Sequence, residues 1–289
     1  MLAFGVLATA LALAAVPQGN LLANPGAEAG QASQSGETTV PIPGWTTTGA
    51  FTVVPYGGGG APDFFTFPPP SESQRIGSGK NFFAGGFRTG TSTATQTIDV
   101  SAAAPLVDIN RVTANLSGWL GGFLSQPDPG TVQAFFLRAD GGQLGSVRIG
   151  PITPDERGRD LKFVQKTASA PVPAGTRSIR VLLTAVQAEG TYDDAYFDNL
   201  DVDLRGPELA LSRHCGTNRH VTLTAGVPTG LKARSVTFRL AGRSHVDRKA
   251  PFTASFVLRA KSAVATATGV VSVRGKTVSI PGRLVTHCP

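Results

Sequence analysis

Tyr196-Phe197-Asp198-Asn199-Leu200-Asp201-Val202-Asp203-Leu204, closed by Arg205-Gly206-Pro207, alternates as a β-strand with one dry and one wet face. Leu200, Val202 and Leu204 fall on one side, Asp201 and Asp203 on the other. Counted back by two, Asp198 belongs to the dry side. A carboxylate there needs a partner, because an unpaired buried charge is very costly. A cation, a Lys or Arg, or a cluster of backbone amides would serve.

Working outward, the preceding segments repeat the pattern. Ser178-Ile179-Arg180-Val181-Leu182-Leu183 sends Ile179, Val181 and Leu183 to one face. Strand-like runs are also predicted over 81–84, 93–100, 111–120, 131–138, 144–149 and 161–168, separated by Gly, Pro, Asp and Ser. About eight to ten such strands fit two packed antiparallel sheets. No sustained helical pattern occurs beyond the N-terminus. Gly57 to Gly60, then Asp63-Phe64-Phe65-Thr66-Phe67 and three prolines, predict a flexible tip whose phenylalanines cover a sheet edge or touch a ligand.

Charge divides the chain at Gly206-Pro207. The whole carries +7, but residues 1–206 hold 13 Lys/Arg against 17 Asp/Glu, and residues 207–289 hold 13 against 2. The second part is therefore a basic domain at +11, with Glu208 and Asp247 as its acids and all four histidines. Such an excess repels itself unless an anion lies nearby. Two readings stand side by side: a solvated basic surface, and docking on an anionic envelope polymer as the candidate partner. Nucleic acid is not expected, because the basic residues are not interleaved with aromatics for base stacking.

Residues 1–15 are apolar, too short to span a membrane, and contain the small-x-small sequence Ala12-Leu13-Ala14. They are expected to be a secretory signal, although no Lys or Arg precedes the apolar run. No second apolar stretch is long enough for a transmembrane anchor. The protein is thus expected to be secreted or associated with the cell surface. In that setting Cys215 and Cys288 are most simply a disulfide closing most of the basic domain. The alternative is a metal site, since each follows a histidine, His214 and His287, with His220 nearby.

Three segments carry a family likeness. Asn20-Leu21-Leu22-Ala23-Asn24-Pro25-Gly26-Ala27-Glu28, then Ile42-Pro43-Gly44-Trp45, then Tyr196-Phe197-Asp198-Asn199-Leu200, resemble the galactose-binding-like jelly rolls that include many bacterial carbohydrate-binding modules. The likeness covers roughly residues 20–205. It implies an antiparallel jelly-roll β-sandwich. It also implies a structural calcium where first and last strands meet, with Glu28 and Asp198 as side-chain ligands and Gly26 and Lys80 as carbonyl donors. Oxygen ligands of this kind suit calcium; the alternative is that both acids only hydrogen-bond to turns. From about Glu208 to Pro289 a shorter likeness runs to bacterial immunoglobulin-like modules, on Ser235-Val236-Thr237-Phe238-Arg239-Leu240-Ala241-Gly242 and Asp247-Arg248-Lys249-Ala250-Pro251-Phe252. The expected fold class is therefore all-β, a jelly roll plus a small immunoglobulin-like β-sandwich.

No catalytic centre is expected. All the histidines lie outside the first domain, so a Ser–His–Asp triad within it is excluded. The visible acid pairs, Asp155-Glu156 and Asp193-Asp194, are adjacent in sequence and point to opposite faces if on a strand. For a sugar the needed parts are a flat aromatic and polar neighbours. Trp119 shares its predicted strand face with Thr113, Asn115 and Ser117, which makes it a platform, with Tyr192 and Tyr56 behind it; alternatively Trp119 packs under a loop. The expected ligand is an extracellular polysaccharide or cell-wall glycan. The competing expectation is a structural or adhesive protein with no small ligand.

Overall fold

The structure, a computed structural model, describes residues 15–59, 67–88, 90–258 and 262–287. The expected signal segment lies outside these except at Ala15, as do Phe64, Phe65 and Cys288. Among the described residues no helix is long and apolar enough to cross a membrane. The chain divides into two compact units.

The first unit, Pro17–Ser101 with Asn110–Arg205, contains ten strands among its described residues. These are β1 (Thr46–Thr48), β2 (Thr52–Pro55), β3 (Asn81–Phe87), β4 (Thr91–Asp99), β5 (Thr113–Gly121), β6 (Gly130–Leu137), β7 (Gln143–Ile149), β8 (Val164–Pro171), β9 (Ser178–Val186) and β10 (Tyr192–Arg205). They form two five-stranded sheets in the orders β1-β4-β9-β6-β7 and β2-β3-β10-β5-β8, every pairing antiparallel. This is the two-sheet antiparallel sandwich expected from the alternation, of the jelly-roll-like kind that the resemblance implies. Its core is built from the predicted inward positions: Ile179, Val181 and Leu183 of β9 are fully buried, as are Ala114, Leu116 and Leu120 of β5. Burying side chains of this size is worth roughly 1.5–3 kcal/mol each, so one register slip, which would expose a whole row, is strongly disfavoured.

The five-stranded sheet that contains β10 has a second dry region on its outer face. Val54, Tyr56, Phe67, Ile76, Phe82, Phe163, Tyr192 and Tyr196 cluster there, with Trp119 and Phe87 packed at the rim. The rings meet edge-on or tilted, as in Phe82–Tyr196 at 5.1 Å and Tyr56–Phe82 at 4.8 Å between centroids. A short helix, α1 (Pro70–Ile76), supplies Ile76 to this cluster. Its local signals are Pro70 in the first turn and Gly77 after the last, at φ 66°, with the Gly77 amide returning to Gln74 O. At seven residues this helix is too short to show as a sustained helical pattern in the sequence.

β10 changes register between Asp198 and Asp201: Asp198 pairs with Trp119, yet Asp201 pairs with Ser117. One extra residue sits on β10, and Asn199 takes φ 43°. Counting by two therefore fails across this bulge. Asp198 is fully buried, but it shares the outer face with Trp119 and not the inner face with Leu200, Val202 and Leu204.

The second unit takes in Gly206–Pro289 and also Ala102–Ile109, which includes α2 (Ala104–Val107). Its strands are β11 (Ala210–Cys215), β12 (His220–Gly226), β13 (Lys232–Leu240), β14 (Arg243–Asp247), β15 (Phe252–Val257), β16 (Ser262–Val273) and β17 (Lys276–His287). They make a three-stranded sheet, β11-β12-β15, and a four-stranded sheet, β14-β13-β16-β17. Val221 and Leu223 from one, and Val236, Phe238, Val278 and Ile280 from the other, are fully buried.

Candidate functional site

On the first unit the outer face of the β10 sheet turns polar beyond the aromatic cluster. β5 presents Thr113, Asn115, Ser117 and Trp119, all half-buried, alternating with buried Ala114, Leu116, Gly118 and Leu120. Opposite them on β8 lie Gln165, Thr167 and Ser169, all exposed, and on β10 lie Asp201 and Asp203. The Asn115 amide donates to Asp203 Oδ1 at 2.9 Å, and Arg205 bonds both oxygens of the same carboxylate. Asp201 Oδ1 is buried and accepts no hydrogen bond among the described residues. Burial, then the neighbouring Asp203 charge, raise the Asp201 pKa.

Trp119 stands where this polar row meets the aromatic rim. The Arg75 guanidinium lies over its ring at 5.2 Å from the centroid, a cation–π contact. Arg75 is held by two hydrogen bonds to Glu72 and by one to the carbonyl of Phe163 at 2.6 Å. Glu72 Oε1 also accepts the Phe163 amide at 2.7 Å. Burial pushes the Glu72 pKa up, but the Arg75 hydrogen bonds and the Phe163 amide outweigh it and hold the group below its ordinary value. The sequence reading missed Arg75. Its signal was the Glu72–Arg75 spacing of three on a helix framed by Pro70 and Gly77.

Tyr56 and Tyr192, expected behind Trp119 as sugar contacts, are corrected by their burial. Both belong to the aromatic cluster, at 8 % and 3 % exposure. Their rings are consumed by packing: Tyr56 against Phe82 and Phe163, Tyr192 against Phe67. Of the four residues named from the sequence, Asn115 and Trp119 share a sheet face open to solvent.

At the bulge of β10, Asp198 and Glu28 are brought together. Asp198 Oδ2 accepts the hydroxyls of Tyr56 and Ser78, each at 2.5 Å, and Oδ1 accepts the Asn199 amide at 2.6 Å. Glu28 Oε1 accepts the Asn81 amide at 2.9 Å. The Lys80 carbonyl takes the Tyr56 amide at 3.0 Å. Burial, followed by the Glu28 charge, pushes the Asp198 pKa up to about 6 against the pull of its three donors. Gly26 leaves the space open. A Cβ there would lie 3.5 Å from Asp198 Oδ1, 3.7 Å from Asn199 Oδ1 and 3.9 Å from Glu28 Cγ. Two oxygens, Asp198 Oδ1 and Asn199 Oδ1, thus border the space at this glycine, while the Glu28 carboxylate is turned to the Asn81 amide. Among the described residues no group of three or more His, Cys, Asp or Glu is placed to hold a metal, so further ligands would be carbonyls or the Asn199 amide oxygen.

The acid pairs read from the sequence are engaged elsewhere. Asp155 pairs with Arg159, and Glu156 with Lys166 and Thr153. Asp193 and Asp194 are buried, and burial pushes each pKa up to about 7. Tyr196 donates to Asp194, Ala195 N–H to Asp193, and Asp128 accepts the amides of Ala188, Glu189 and Asp194. Arg157, also buried, is spent on the carbonyls of Leu124, Gln126 and Asp160. Asp128 and Arg157 thus fasten loops, while Asp193 Oδ2 and Asp194 Oδ2 are buried without a hydrogen-bond partner among the described residues. On the second unit, no free cysteine occurs among the described residues. The pairing of Cys215 with Cys288 itself falls outside them.

No family model matches the chain, and no curated protein matches it. Several solved structures are similar. The enzymatically active domain of bacteriophage CBA120 tailspike protein 4 is 16% identical at TM-score 0.37, over 64% of this chain and 21% of that one, so the chain spans about a fifth of it. A carbohydrate-binding module of type CBM4 is 14% identical at TM-score 0.28, over 43% of this chain and 70% of that one. The CBM22-1 xylan-binding domain of Paenibacillus barcinonensis Xyn10C is 16% identical at TM-score 0.29, over 60% of this chain and 91% of that one.

Proposed function

We propose that the first unit is a non-catalytic carbohydrate-binding module acting on an extracellular polysaccharide or cell-wall glycan. The observation that carries this is Trp119, half-exposed at the head of a row of hydroxyl, amide and carboxylate groups on one sheet face. Sugars are held by this combination, an apolar ring face against an aromatic and hydroxyls against polar side chains. The half-buried Ser117 and the exposed Gln165 and Thr167 beside Trp119 would meet sugar hydroxyls. The Glu28–Asp198 pair, with the Gly26 and Lys80 carbonyls, would hold a structural calcium that fixes the bulge of β10. The second unit, whose three-plus-four strand order agrees with an immunoglobulin-like sandwich, would dock on an anionic envelope polymer, with Cys215–Cys288 as its staple. Export, with residues 1–15 as the signal, completes this reading.

A glycan array with the wild-type chain and Trp119→Ala tests it. Binding by the wild type that is lost in Trp119→Ala, with an unchanged melting temperature, is the expected outcome. Binding by neither form favours a second reading, a structural or adhesive protein. That alternative rests on a specific contact: Arg75 already occupies one face of Trp119.

A further inference from the structure

The four-stranded sheet ends at β14, an edge strand paired only with β13. Two adjoining clefts flank it. One, of about 280 Å³, is lined by His220, Arg243, His245, Ser255, Phe256 and Val257. The other, of about 300 Å³, is lined by Arg239, Leu240, Arg243, Val264 and Thr266. Arg243 and Ser244 form the wall common to both. The register explains the arrangement. Ser244 sits opposite Arg239 on β13, while Arg243 and His245 alternate to the other side of β14.

The charges in these clefts are unspent. Among the described residues, neither Arg239 nor Arg243 has an ion pair or a side-chain hydrogen bond. The nearest acid along the strand, Asp247, is committed to the amides of Lys249 at 3.0 Å and Thr253 at 2.9 Å. Two guanidinium groups, each able to grip an oxyanion with a two-pronged fork, therefore face solvent on either side of one strand, with two imidazoles beside them. The remaining lining is hydroxyl (Ser244, Ser255, Thr266) and small apolar (Val257, Val264). Phe256 is buried, so apart from the two imidazoles the clefts offer no ring for stacking a base. Hydroxyl and aliphatic lining with paired forks suits a sugar chain that bears acid groups.

We infer that the edge strand with Arg243 at its centre is a binding site for an acidic polysaccharide that passes over this edge, its carboxylate-bearing sugars reaching the cleft on either face. The inference rests on the reading that the second unit docks on an anionic polymer, and it narrows that reading to one place and one chemistry. A diffuse basic surface would treat its arginines as interchangeable. A built cleft does not. Arg274, exposed in the turn between β16 and β17, has the same charge outside the cleft and is the control.

The experiment is equilibrium binding of the full chain to polygalacturonate, with neutral galactan and a single-stranded DNA of equal charge as comparison polymers, for wild type, Arg243→Gln, Arg239→Gln and Arg274→Gln. The expected result is salt-sensitive binding to polygalacturonate and not to galactan. Arg243→Gln should weaken it about tenfold or more, as for loss of a charge-assisted hydrogen bond, Arg239→Gln by a smaller factor, and Arg274→Gln by no more than about twofold. Wild-type binding that falls equally in Arg243→Gln and Arg274→Gln would overturn the cleft and leave the docking reading standing. No binding by the wild type would overturn both. Tighter binding to the DNA than to polygalacturonate would overturn the assigned ligand class.

Discussion

The phenolic hydroxyl of Tyr56 donates to Asp198 Oδ2 at 2.5 Å, closing a contact between residues 142 positions apart, both buried. It joins the end of β2 to the bulge of β10. Removing the hydroxyl leaves a buried carboxylate with one donor fewer. Tyr56→Phe is expected to destabilise the first unit by about 1–3 kcal/mol, read from the denaturation midpoint. An unchanged midpoint would show that the bond contributes nothing net. Glycan binding, if it is seated on Trp119, should not change.

Four carboxyls of this unit have raised pKa values: Asp193 and Asp194 up to about 7, Asp198 up to about 6, and Asp201 in the same direction. In the unfolded chain each ionises near 3.8. Between those values the unfolded state releases protons that the folded state retains, so raising the pH favours unfolding. The first unit should be most stable below about pH 4 with respect to these groups, losing stability as pH rises to about 7. Melting temperatures across that range, in chelator, would check the sign; a rise with pH would refute it.

Gly79 lies against the Glu28 carboxylate. A Cβ at this position would sit 2.2 Å from Glu28 Cδ. Gly79→Ala must therefore push the Glu28 carboxylate aside, which a flexible side chain permits. The expected outcome is a fold that survives but whose melting temperature no longer responds to calcium or chelator, whereas the wild type gains stability on binding. Gly77→Ala, at a position with open space around it, should weaken the fold yet keep the calcium response. A wild type indifferent to calcium would remove the metal from Glu28 and Asp198.

Gly86 combines φ 99° with a backbone oxygen, that of Ala50, 1.9 Å from where a Cβ would stand. Neither problem is relieved by turning a side chain. Gly86→Ala should cost about 3 kcal/mol or more, seen as loss of the cooperative melting transition of the first unit. Gly142→Ala, at a hairpin turn with looser neighbours, should leave that transition in place.

Strand faces were legible because alternation reports burial directly. Ile179, Val181 and Leu183 were placed inward from sequence and are fully buried. Leu200, Val202 and Leu204 followed the same rule. Asp198 did not, because the bulge at Asn199–Leu200 inserts a residue that no local pattern announces; Asn tolerates positive φ, but most Asn residues do not use it. Trp119 was placed on the open face by the same alternation, yet its neighbour Arg75 comes from α1, a distant segment. Tyr56 and Tyr192 were misjudged for a related reason. Aromatic residues on an outer sheet face serve equally as sugar contacts or as a minor core, and only the docking of α1 decides between them.

The outer aromatic cluster makes β10 a strand that crosses from one environment to another. From Tyr192 to Asp198 both of its faces are covered; from Asp201 onward one face meets solvent. Backbone amides on the first stretch can exchange with deuterium only when the cluster opens as a unit, and those on the second need only local fraying. Protection along β10 should therefore step at the bulge instead of grading along the strand. That boundary would mark the sandwich as two cooperative blocks within one sheet.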